Sequence, residues 1–428
     1  MERLKETLQA FVVGLFLEMA VVNTRSIPEG PSRPRERKPS SVGQTLLAAK
    51  IVDWLIEMGV PRECVWGLSD GSVFVDLPAT PGYEKAPRFG LMAHKDTCEE
   101  LEPDPDPQIR TYNGETSVLL GEGVELSGKD LAGLKPGDQY ITGTGKGNIG
   151  ADDKAGIAAI LGALRTVLMG GLPHGVIRIW FTPDEEIGEV DPSVLPDGVL
   201  ETTDIWWSPD GEATGLVDVG CFWGRNMTVT FKGHNVHPGT DGPDLKPAHY
   251  AAAEFIMMTA RAYPTPMQAT GDQSYCYAYS IPQMDAEQAV VKVIPRSFDD
   301  DESREMIEGI GTLAERCAHD WGCEMLVETK NLYGNYETAV DAHFELVQPG
   351  FYAHTDCGYE VTTSRARGGS IGSFIFNACG KPSLVMGIGA GGIHGKKERV
   401  NIREMVDAAR ILTAMIGRYA KLRIHDAH

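Results

Sequence analysis

Short apolar runs along this chain end abruptly in acidic or histidine side chains. The run at 89–93 leads into HKD at 94–96, and the run at 176–182 leads into DEE at 184–186. Runs of this kind, alternating with helical segments such as 151–168, predict the strands and helices of an α/β sheet. Ligands of such sheets gather at the carboxyl ends of the strands. The polar clusters that end these runs are therefore candidates for a functional site.

Imidazoles and carboxylates are the side chains that recur at these places. Taken singly, each cluster has an ordinary explanation, such as a satisfied histidine or a solvated acidic turn. Together they place charge at the ends of apolar runs, where unpaired charge is costly. Nitrogen and oxygen donors without cysteine suit a divalent ion such as zinc, and two ions that share a carboxylate suit amide hydrolysis. The clusters are His94-Lys95-Asp96, Asp152-Asp153-Lys154, Asp184-Glu185-Glu186, Asp210-Gly211 and His394-Gly395-Lys396.

A second domain of the α+β class is predicted from about residue 220. Its predicted elements are strands at 226–232 and 289–295 and helices at 247–262 and 301–319. The apolar run at 383–388 then returns to the first sheet. We therefore predict a discontinuous zinc-binding catalytic domain, 1–219 and 338–428, in which a mixed sheet is flanked by helices. The inserted segment, 220–337, is predicted to be a lid or dimerisation domain.

Charge and cysteine content limit the partners and the compartment. The chain has 39 Lys+Arg against 60 Asp+Glu, a net charge of −21, which opposes binding to nucleic acid. Its eight cysteines are sparse and contain no CxxC pair, which favours free thiols in a reducing cytoplasm. We predict a cytoplasmic protein with no nucleic-acid or membrane partner.

Two N-terminal segments have helical character. The apolar stretch at 10–17 lacks the basic flank and the cleavage site of a signal peptide, so we expect a helix that packs on a core. No run reaches the about 18 apolar residues of a membrane-spanning helix. A second helix is predicted at 44–58, and its expected apolar face consists of Leu46, Leu47, Ile51, Trp54 and Leu55.

Four motifs carry a resemblance to a known family. They are GADDKAGIA at 150–158, FTPDEEIG at 181–188, NVHPGT at 235–240 and RGG at 367–369. The chain resembles, over nearly its whole length, the peptidase T (tripeptide aminopeptidase) branch of the co-catalytic zinc peptidases. That family also includes carboxypeptidase G, aminoacylase and succinyl-diaminopimelate desuccinylase. The resemblance implies a di-zinc exopeptidase fold.

The resemblance also implies a metal centre of two zinc ions per subunit, with cobalt or manganese as substitutes. Asp152 would bridge the two ions, and the peptide bond between Asp152 and Asp153 would be cis. Glu185 would be the general base that activates a metal-bridging water. Asp96 would receive the imidazole N–H of His94 and orient the ring. The implied metal ligands are His94, Asp152, Glu186, Asp210 and His394.

Four residues are implied to contact the substrate. His237 would stabilise the oxyanion, in many relatives across a dimer interface, so a homodimer through the inserted domain is expected. Asn235 would contact the peptide backbone, and Arg296 and Arg367 would clamp a substrate carboxylate. For the two arginines, surface ion pairing is the alternative.

The chain departs from the family pattern near the substrate. HVDT becomes HKDT, and strand alternation predicts that Lys95 faces away from the metals. GGTD becomes GGSI at 368–371, so Ile371 replaces a carboxylate, and the segment 241–248 is also altered. The first hypothesis is a zinc metallo-aminopeptidase that hydrolyses the N-terminal bond of short peptides. The alternatives are a dipeptidase or an N-acyl-amino-acid amidohydrolase, and last a non-catalytic metal-binding homologue.

Overall fold

The computed structural model describes residues 7–30, 33–34 and 37–423 of the 428-residue chain. The chain forms two compact units. The first holds the chain up to Val219, Tyr336–Ser364 and the chain from Phe374, and the second holds Gly220–Asn335 and Arg365–Ser373. The first unit is thus built from segments that are far apart in sequence. The roles predicted for the two domains stay predictions.

Strands and helices alternate along much of the described chain. The strands are β1 (Val65–Gly67), β2 (Val73–Leu77), β3 (Phe89–His94), β4 (Gln108–Thr111), β5 (Ser117–Gly121), β6 (Val124–Ser127), β7 (Gln139–Thr142), β8 (Ile177–Thr182), β9 (Ile205–Gly211), β10 (Leu216–Cys221), β11 (Trp223–Lys232), β12 (Tyr275–Met284), β13 (Gln288–Ser297), β14 (Glu324–Tyr333), β15 (Thr362–Ala366), β16 (Ser383–Gly387), β17 (Ala390–Gly391) and β18 (Arg399–Asn401). The helices are α1 (Leu8–Ala20), α2 (Val42–Glu57), α3 (Ala151–Gly170), α4 (Val199–Thr202), α5 (Ala248–Ala262), α6 (Asp300–Asp320), α7 (Glu337–Ala342), α8 (Phe344–Asp356), α9 (Ile371–Cys379) and α10 (Ile402–Tyr419).

A mixed eight-stranded sheet forms the centre of the first unit. Its strand order is β1-β2-β8-β3-β9-β16-β10-β15. The four middle strands, β8, β3, β9 and β16, run parallel to one another. β1, β2 and β10 pair antiparallel with their neighbours. The predicted α/β class with a mixed central sheet is therefore confirmed, and the carboxyl ends of the middle strands lie at one edge.

α3 is the most buried of the described helices that pack around the central sheet. It packs against β3 and β9, and α1 and α10 pack against it. The helix predicted at 151–168 is confirmed, since α3 runs to Gly170. Its first turn is irregular, because Asp152 and Asp153 have backbone angles that are not helical. The N–H of Lys154 still donates to the carbonyl oxygen of Gly150 at 3.1 Å, but the N–H groups before it have no such helical partner.

The two N-terminal helices follow the prediction except at one position. Phe11, Leu15 and Phe16 of α1 are buried, so the expectation that this helix packs on a core is confirmed. In α2, Leu47 is fully buried but Leu46 is 58% exposed, so the predicted apolar face was too wide. Adjacent residues of a helix point about 100° apart, and only Leu47 faces the core. No helix in the described residues is long and apolar enough to cross a membrane.

The second unit is a four-stranded antiparallel sheet with two helices. Its strand order is β12-β13-β11-β14. The helices α5 and α6 pack on one face of this sheet, over a core that includes Phe231, Phe255, Val291 and Ile310. The elements predicted for this segment appear as β11, α5, β13 and α6, and the α+β class is confirmed.

A close contact inside the central sheet gives a test of the fold. Gly90 of β3 pairs with Trp206 of β9, and a Cβ at Gly90 would lie 2.4 Å from the Trp206 ring. We expect Gly90→Ala to lower the free energy of unfolding by about 1–3 kcal/mol, because the ring is buried and cannot retreat. Gly14→Ala in α1 is the control, since its added Cβ would come within 4 Å of no described atom outside its chain neighbours and the backbone of its own helix. Urea denaturation of the metal-free variants measures both, and a Gly90→Ala midpoint equal to wild type would contradict this packing.

Candidate active site

The parallel strands of the central sheet carry the predicted site residues to one edge. His94 is the last residue of β3, and Glu185 and Glu186 follow the end of β8. Asp210 lies near the end of β9. Because these strands are parallel neighbours, their side chains meet beyond the same edge of the sheet. The edge that the sequence predicted as functional is therefore the edge where these residues lie.

Asp152 joins the two halves of this cluster. Its Oδ1 is 2.8 Å from His94 Nε2, and its Oδ2 is 3.2 Å from His394 Nε2. His394 comes from the loop between β17 and β18 and has a positive φ of 56°. Glu186 Oε2 lies 2.8 Å from His394 Nε2, and Asp210 Oδ1 lies 3.5 Å from His94 Nε2. Each histidine thus shares Asp152 and has one carboxylate of its own, and the peptide bond from Asp152 to Asp153 is cis, as predicted.

Side-chain chemistry in this cluster fits divalent metal ions. Among the described residues, Glu186 Oε1 and Asp210 Oδ1 are buried without a hydrogen-bond partner. Donor atoms of His94, Asp152 and Glu186 lie within 4.8 Å of one another, and so do those of His94, Asp153 and Asp210. Imidazole nitrogens and carboxylate oxygens are donors that zinc accepts. Both oxygens are therefore available as ligands, and Asp210 Oδ1 faces His94 Nε2 at 3.5 Å.

The pKa values of the clustered carboxyl groups and of His394 also indicate a site that favours a bound cation. Burial raises the pKa of Glu186 to about 8 and that of Asp210 to about 7, and the Asp152 carboxylate adds to both shifts. Burial also raises the pKa of Glu185 well above its ordinary value. Hydrogen bonds to Asp152 and Glu186 raise the pKa of His394 to about 11. A divalent cation among these groups would stabilise the carboxylates in their charged form.

Asp96 connects His94 to the segment that carries Glu185 and Glu186. Its Oδ1 lies 3.3 Å from His94 Nδ1 and accepts the N–H of Glu185 at 3.1 Å. Its Oδ2 accepts the N–H of Glu186 at 3.1 Å and the hydroxyl of Ser26. The structure places Asp96 behind His94, as the sequence predicted, and adds two main-chain contacts that the sequence did not reveal. One carboxylate thereby fixes a predicted ligand and the predicted base together.

Lys95 points away from His94 and the other predicted metal ligands, as strand alternation predicted. Its Nζ donates to the carbonyl oxygen of Gly71 at 3.0 Å, and the side chain is fully buried. Burial lowers the pKa of Lys95 to about 8. The lysine that distinguishes this chain at HKDT therefore packs on the far side of β3 from the predicted ligands.

Glu398 is a site residue that sequence reasoning missed. Its Oε2 accepts the N–H groups of Ile149 at 2.6 Å and Gly150 at 2.8 Å, and its Oε1 accepts the N–H of Asp152 at 3.3 Å. Burial, followed by the Asp152 carboxylate, raises the pKa of Glu398 to about 7. Its partners lie 246 to 249 residues earlier in the chain, so no local spacing identifies it.

Asp153 and Asp184 support the cluster from behind and were not given roles from the sequence. Asp153 Oδ2 accepts the N–H of His94 at 3.3 Å. The Asp184 carboxylate accepts the N–H of Ser40 at 2.9 Å and the side-chain amide of Gln44 at 2.7 Å. The signal for both was the acidic runs DD at 152–153 and DEE at 184–186. Which acid of a pair faces the metal cluster depends on the local backbone angles, which the pairs do not reveal.

The predicted substrate residues Asn235 and His237 lie in the second unit. Both are exposed on the loop that follows β11. His237 Nδ1 accepts the N–H of Gly239 at 3.2 Å, which fixes the ring within its turn. The other ring nitrogen of His237 is not used by this contact.

The predicted carboxylate-binding residues Arg296 and Arg367 also lie in the second unit. Arg296 is only 7% exposed, and its Nη1 donates to the carbonyl oxygen of Arg225 at 2.7 Å. The guanidinium of Arg367 lies 5.3 Å from the ring centre of Phe222 and 5.6 Å from that of Tyr275. Both arginines also resemble each other, because Arg367 Nη1 donates to the carbonyl oxygen of Gly271 and the guanidinium of Arg296 lies 5.6 Å from the ring centre of Tyr333. They differ in burial, since Arg296 is buried and Arg367 is half-buried.

A mixed α/β sheet with paired imidazoles and carboxylates at its carboxyl edge defines a hydrolase of the metal-binding class. The family model described as peptidase family M20/M25/M40 matches residues 142–418, and the chain belongs to this family. It is therefore a peptidase-type hydrolase.

Similar proteins extend this result over almost the whole chain. Peptidase T of Geobacillus kaustophilus is 31% identical over 411 residues, which are 94% of this chain and 96% of that protein. The crystal structure of aminopeptidase PepT from Bacillus cereus has a TM-score of 0.72 at 19% identity and covers 96% of this chain and 99% of its own. The YXEP protein of Bacillus subtilis, described as a dinuclear metal binding peptidase from the M20 family, has a TM-score of 0.63 at 13% identity over 96% of this chain and 98% of its own. The resemblance seen in the sequence is confirmed.

Proposed function

We propose that this protein is a metal-dependent aminopeptidase that hydrolyses the N-terminal peptide bond of short peptides. The observation that carries the proposal is the Asp152 carboxylate, whose two oxygens contact His94 and His394. A carboxylate shared between two imidazoles, each with a further carboxylate, suits a pair of metal ions. The similarity to proteins named Peptidase T supports the substrate class.

Zinc is the ion that we propose, with cobalt or manganese as substitutes. When bound, two such ions supply electrophilic polarisation of the scissile carbonyl and make water more acidic. The unpartnered oxygens of Glu186 and Asp210 support this assignment. The residues that would hold the ions are His94, Asp152, Glu186, Asp210 and His394.

Glu185 is the general base in this proposal. It is adjacent to Glu186 in the chain, and Asp96 holds the main-chain N–H of both residues. Glu185 takes a proton from the attacking water and later donates it to the leaving amine. Its burial favours the protonated form, which suits the second step, while nearby cations favour the ionised form that the first step requires.

The second unit supplies the substrate contacts in this proposal. His237 stabilises the oxyanion, and Asn235 contacts the peptide backbone. Arg367 and Arg296 bind the substrate carboxylate, and the planar guanidinium of arginine suits such bidentate binding. The exposure of Asn235 and His237 on one loop supports their assignment. The greater exposure of Arg367 favours it over the buried Arg296 as the arginine nearer to substrate.

We also propose a cytoplasmic location and a homodimer. The eight cysteines are free thiols, which is the usage expected of a reducing compartment. The dimer through the inserted domain is a prediction that light scattering on the purified protein decides.

A substrate panel tests the proposed function. We expect an unblocked tripeptide such as Ala-Ala-Ala to lose its N-terminal residue, and its N-acetylated form to resist, because an aminopeptidase needs the free amine. Mass spectrometry identifies the products, and zinc buffer without protein is the control. Faster cleavage of Ala-Ala would favour a dipeptidase, and cleavage of N-acetyl-alanine an amidohydrolase. Either result would point to Ile371, which is fully buried in the second unit, and to the altered segment 241–248. Cleavage of none would favour a non-catalytic homologue.

A further inference from the structure

Glu398 connects the two chain segments that carry Asp152 and His394. It follows His394 in the loop that leads into β18. Its carboxylate accepts three main-chain N–H groups from the other segment, those of Ile149, Gly150 and Asp152, at 2.6, 2.8 and 3.3 Å. A side chain from the loop of one predicted metal ligand therefore binds the main chain of another.

The main chain that Glu398 holds has little support from the helix it opens. The first N–H groups of a helix have no partner within the helix. Gly150, the residue that caps α3, has a positive φ of 66° and no side chain that could accept these N–H groups, and Asp152 is not helical. Glu398 supplies the missing acceptor from far away in the sequence. It is 2% exposed, so water competes little for the same N–H groups.

We infer that Glu398 is a positioning residue, which fixes the Asp152 segment relative to His394 so that both ligands face each other before a metal ion binds. The inference rests on the proposed metal-dependent function, because it concerns the ligands of that site. Groups that hold metal ligands in place typically change metal affinity about 10- to 100-fold when they are removed. Glu398 acts on the main chain of the residue proposed to bridge the two ions, so its removal should affect both.

A purely structural role for Glu398 is the alternative, and Asp104 offers a matched control. Asp104 is also fully buried, and its Oδ2 accepts the N–H groups of Thr144 at 2.6 Å and Lys146 at 3.1 Å. It thus anchors the glycine-rich segment 143–150 at its beginning, whereas Glu398 anchors its end. Asp104 is bonded to the N–H groups of neither Asp152 nor any other predicted ligand in the described residues.

Glu398→Gln and Asp104→Asn, compared with the wild type, test the inference. The amide keeps the size of Glu398 but turns an N–H donor towards the N–H groups of 149–152. We expect the zinc Kd of Glu398→Gln, measured by competition with a chromophoric chelator, to rise about 10- to 100-fold. Asp104→Asn should keep the wild-type Kd, although both variants lower the Tm of the metal-free protein. Hydrogen exchange of amides 149–152 in the metal-free protein should become faster in Glu398→Gln only.

Several outcomes separate the explanations. A wild-type Kd for Glu398→Gln, or an equal loss in Asp104→Asn, would overturn the positioning role. Glu398→Asp is the second variant, because it keeps the charge and both acceptor oxygens. If Glu398→Gln does not fold, a zinc Kd of Glu398→Asp that is raised by up to about 100-fold supports the positioning role. A wild-type zinc Kd of Glu398→Asp would overturn it. Zinc binding by wild type without cleavage of any peptide would refute the proposed function and leave this inference standing. If wild type binds no zinc, hydrogen exchange still tests the inference. Unchanged exchange of amides 149–152 in Glu398→Gln would contradict the positioning role.

Discussion

Glu185→Gln should lower kcat by about 10²- to 10⁴-fold, the usual contribution of a positioned general base. The amide cannot take a proton from water, but it has the size of the carboxylate and keeps the N–H contact to Asp96. Because Glu185 is not among the proposed ligands, zinc should remain bound with little change in KM. Steady-state kinetics on an unblocked tripeptide, together with metal analysis of the same sample, measures both effects.

Glu201→Gln is the control for this substitution. Glu201 is an exposed residue of α4 in the same unit, so the change alters charge without touching the metal-binding cluster. Its kinetics should match wild type. If both Glu185→Gln and Glu201→Gln keep a kcat near that of wild type, the general base is a different residue. If Glu185→Gln loses its metal, Glu185 is a ligand rather than the base.

Removal of metal should abolish hydrolysis, and zinc should restore it. The proposed ligands bring the carboxylates of Asp152, Glu186 and Asp210 close to two imidazoles, and without cations burial raises the pKa of Glu186 and of Asp210. Zinc at a hundredfold its Kd should add about 2.7 kcal/mol to the free energy of unfolding for each ion that binds. Dialysis against a chelator, followed by titration with zinc or cobalt, measures activity and Tm in the same samples.

Asp152→Asn provides the matched variant for this experiment. Loss of the negative charge shared by His94 and His394 should prevent full recovery of activity and of Tm when zinc is added back. Wild-type protein passed through the same dialysis is the control for irreversible damage. Activity that chelators leave untouched would refute a metal mechanism, whatever the behaviour of Asp152→Asn.

The part of the site predicted from sequence is the part with local signals. His94, Glu186 and Asp210 stand where apolar runs end, and a buried run that stops at a charged residue marks a strand end. The role of Asp96 was implied by the family resemblance, and strand geometry agrees with it, because two residues along a strand share a face. These inferences depend on spacing over a few residues, which the backbone geometry of strands fixes.

Features that depend on distant partners could not be predicted in this way. The role of Glu398 depends on N–H groups about 250 residues earlier in the chain. The exposure of Leu46 depends on which side of α2 packs against the core. The strands β4 to β7 and β17 to β18 were also missed, because runs of two to five residues show little alternation. Packing, rather than local pattern, decides each of these.

The insertion of Gly220–Asn335 into the first unit also determines the order in which the parts of that unit are synthesised. β16 occupies a place between β9 and β10, yet the ribosome reaches it only after the entire inserted segment. At synthesis rates of about 5–20 residues per second, roughly 10–35 s pass between the emergence of Val219 and that of His394. During this interval the nascent chain exposes His94, Asp152 and Glu186 without their second imidazole. The proposed ligand set is thus completed late, and a stalled or truncated chain would lack His394.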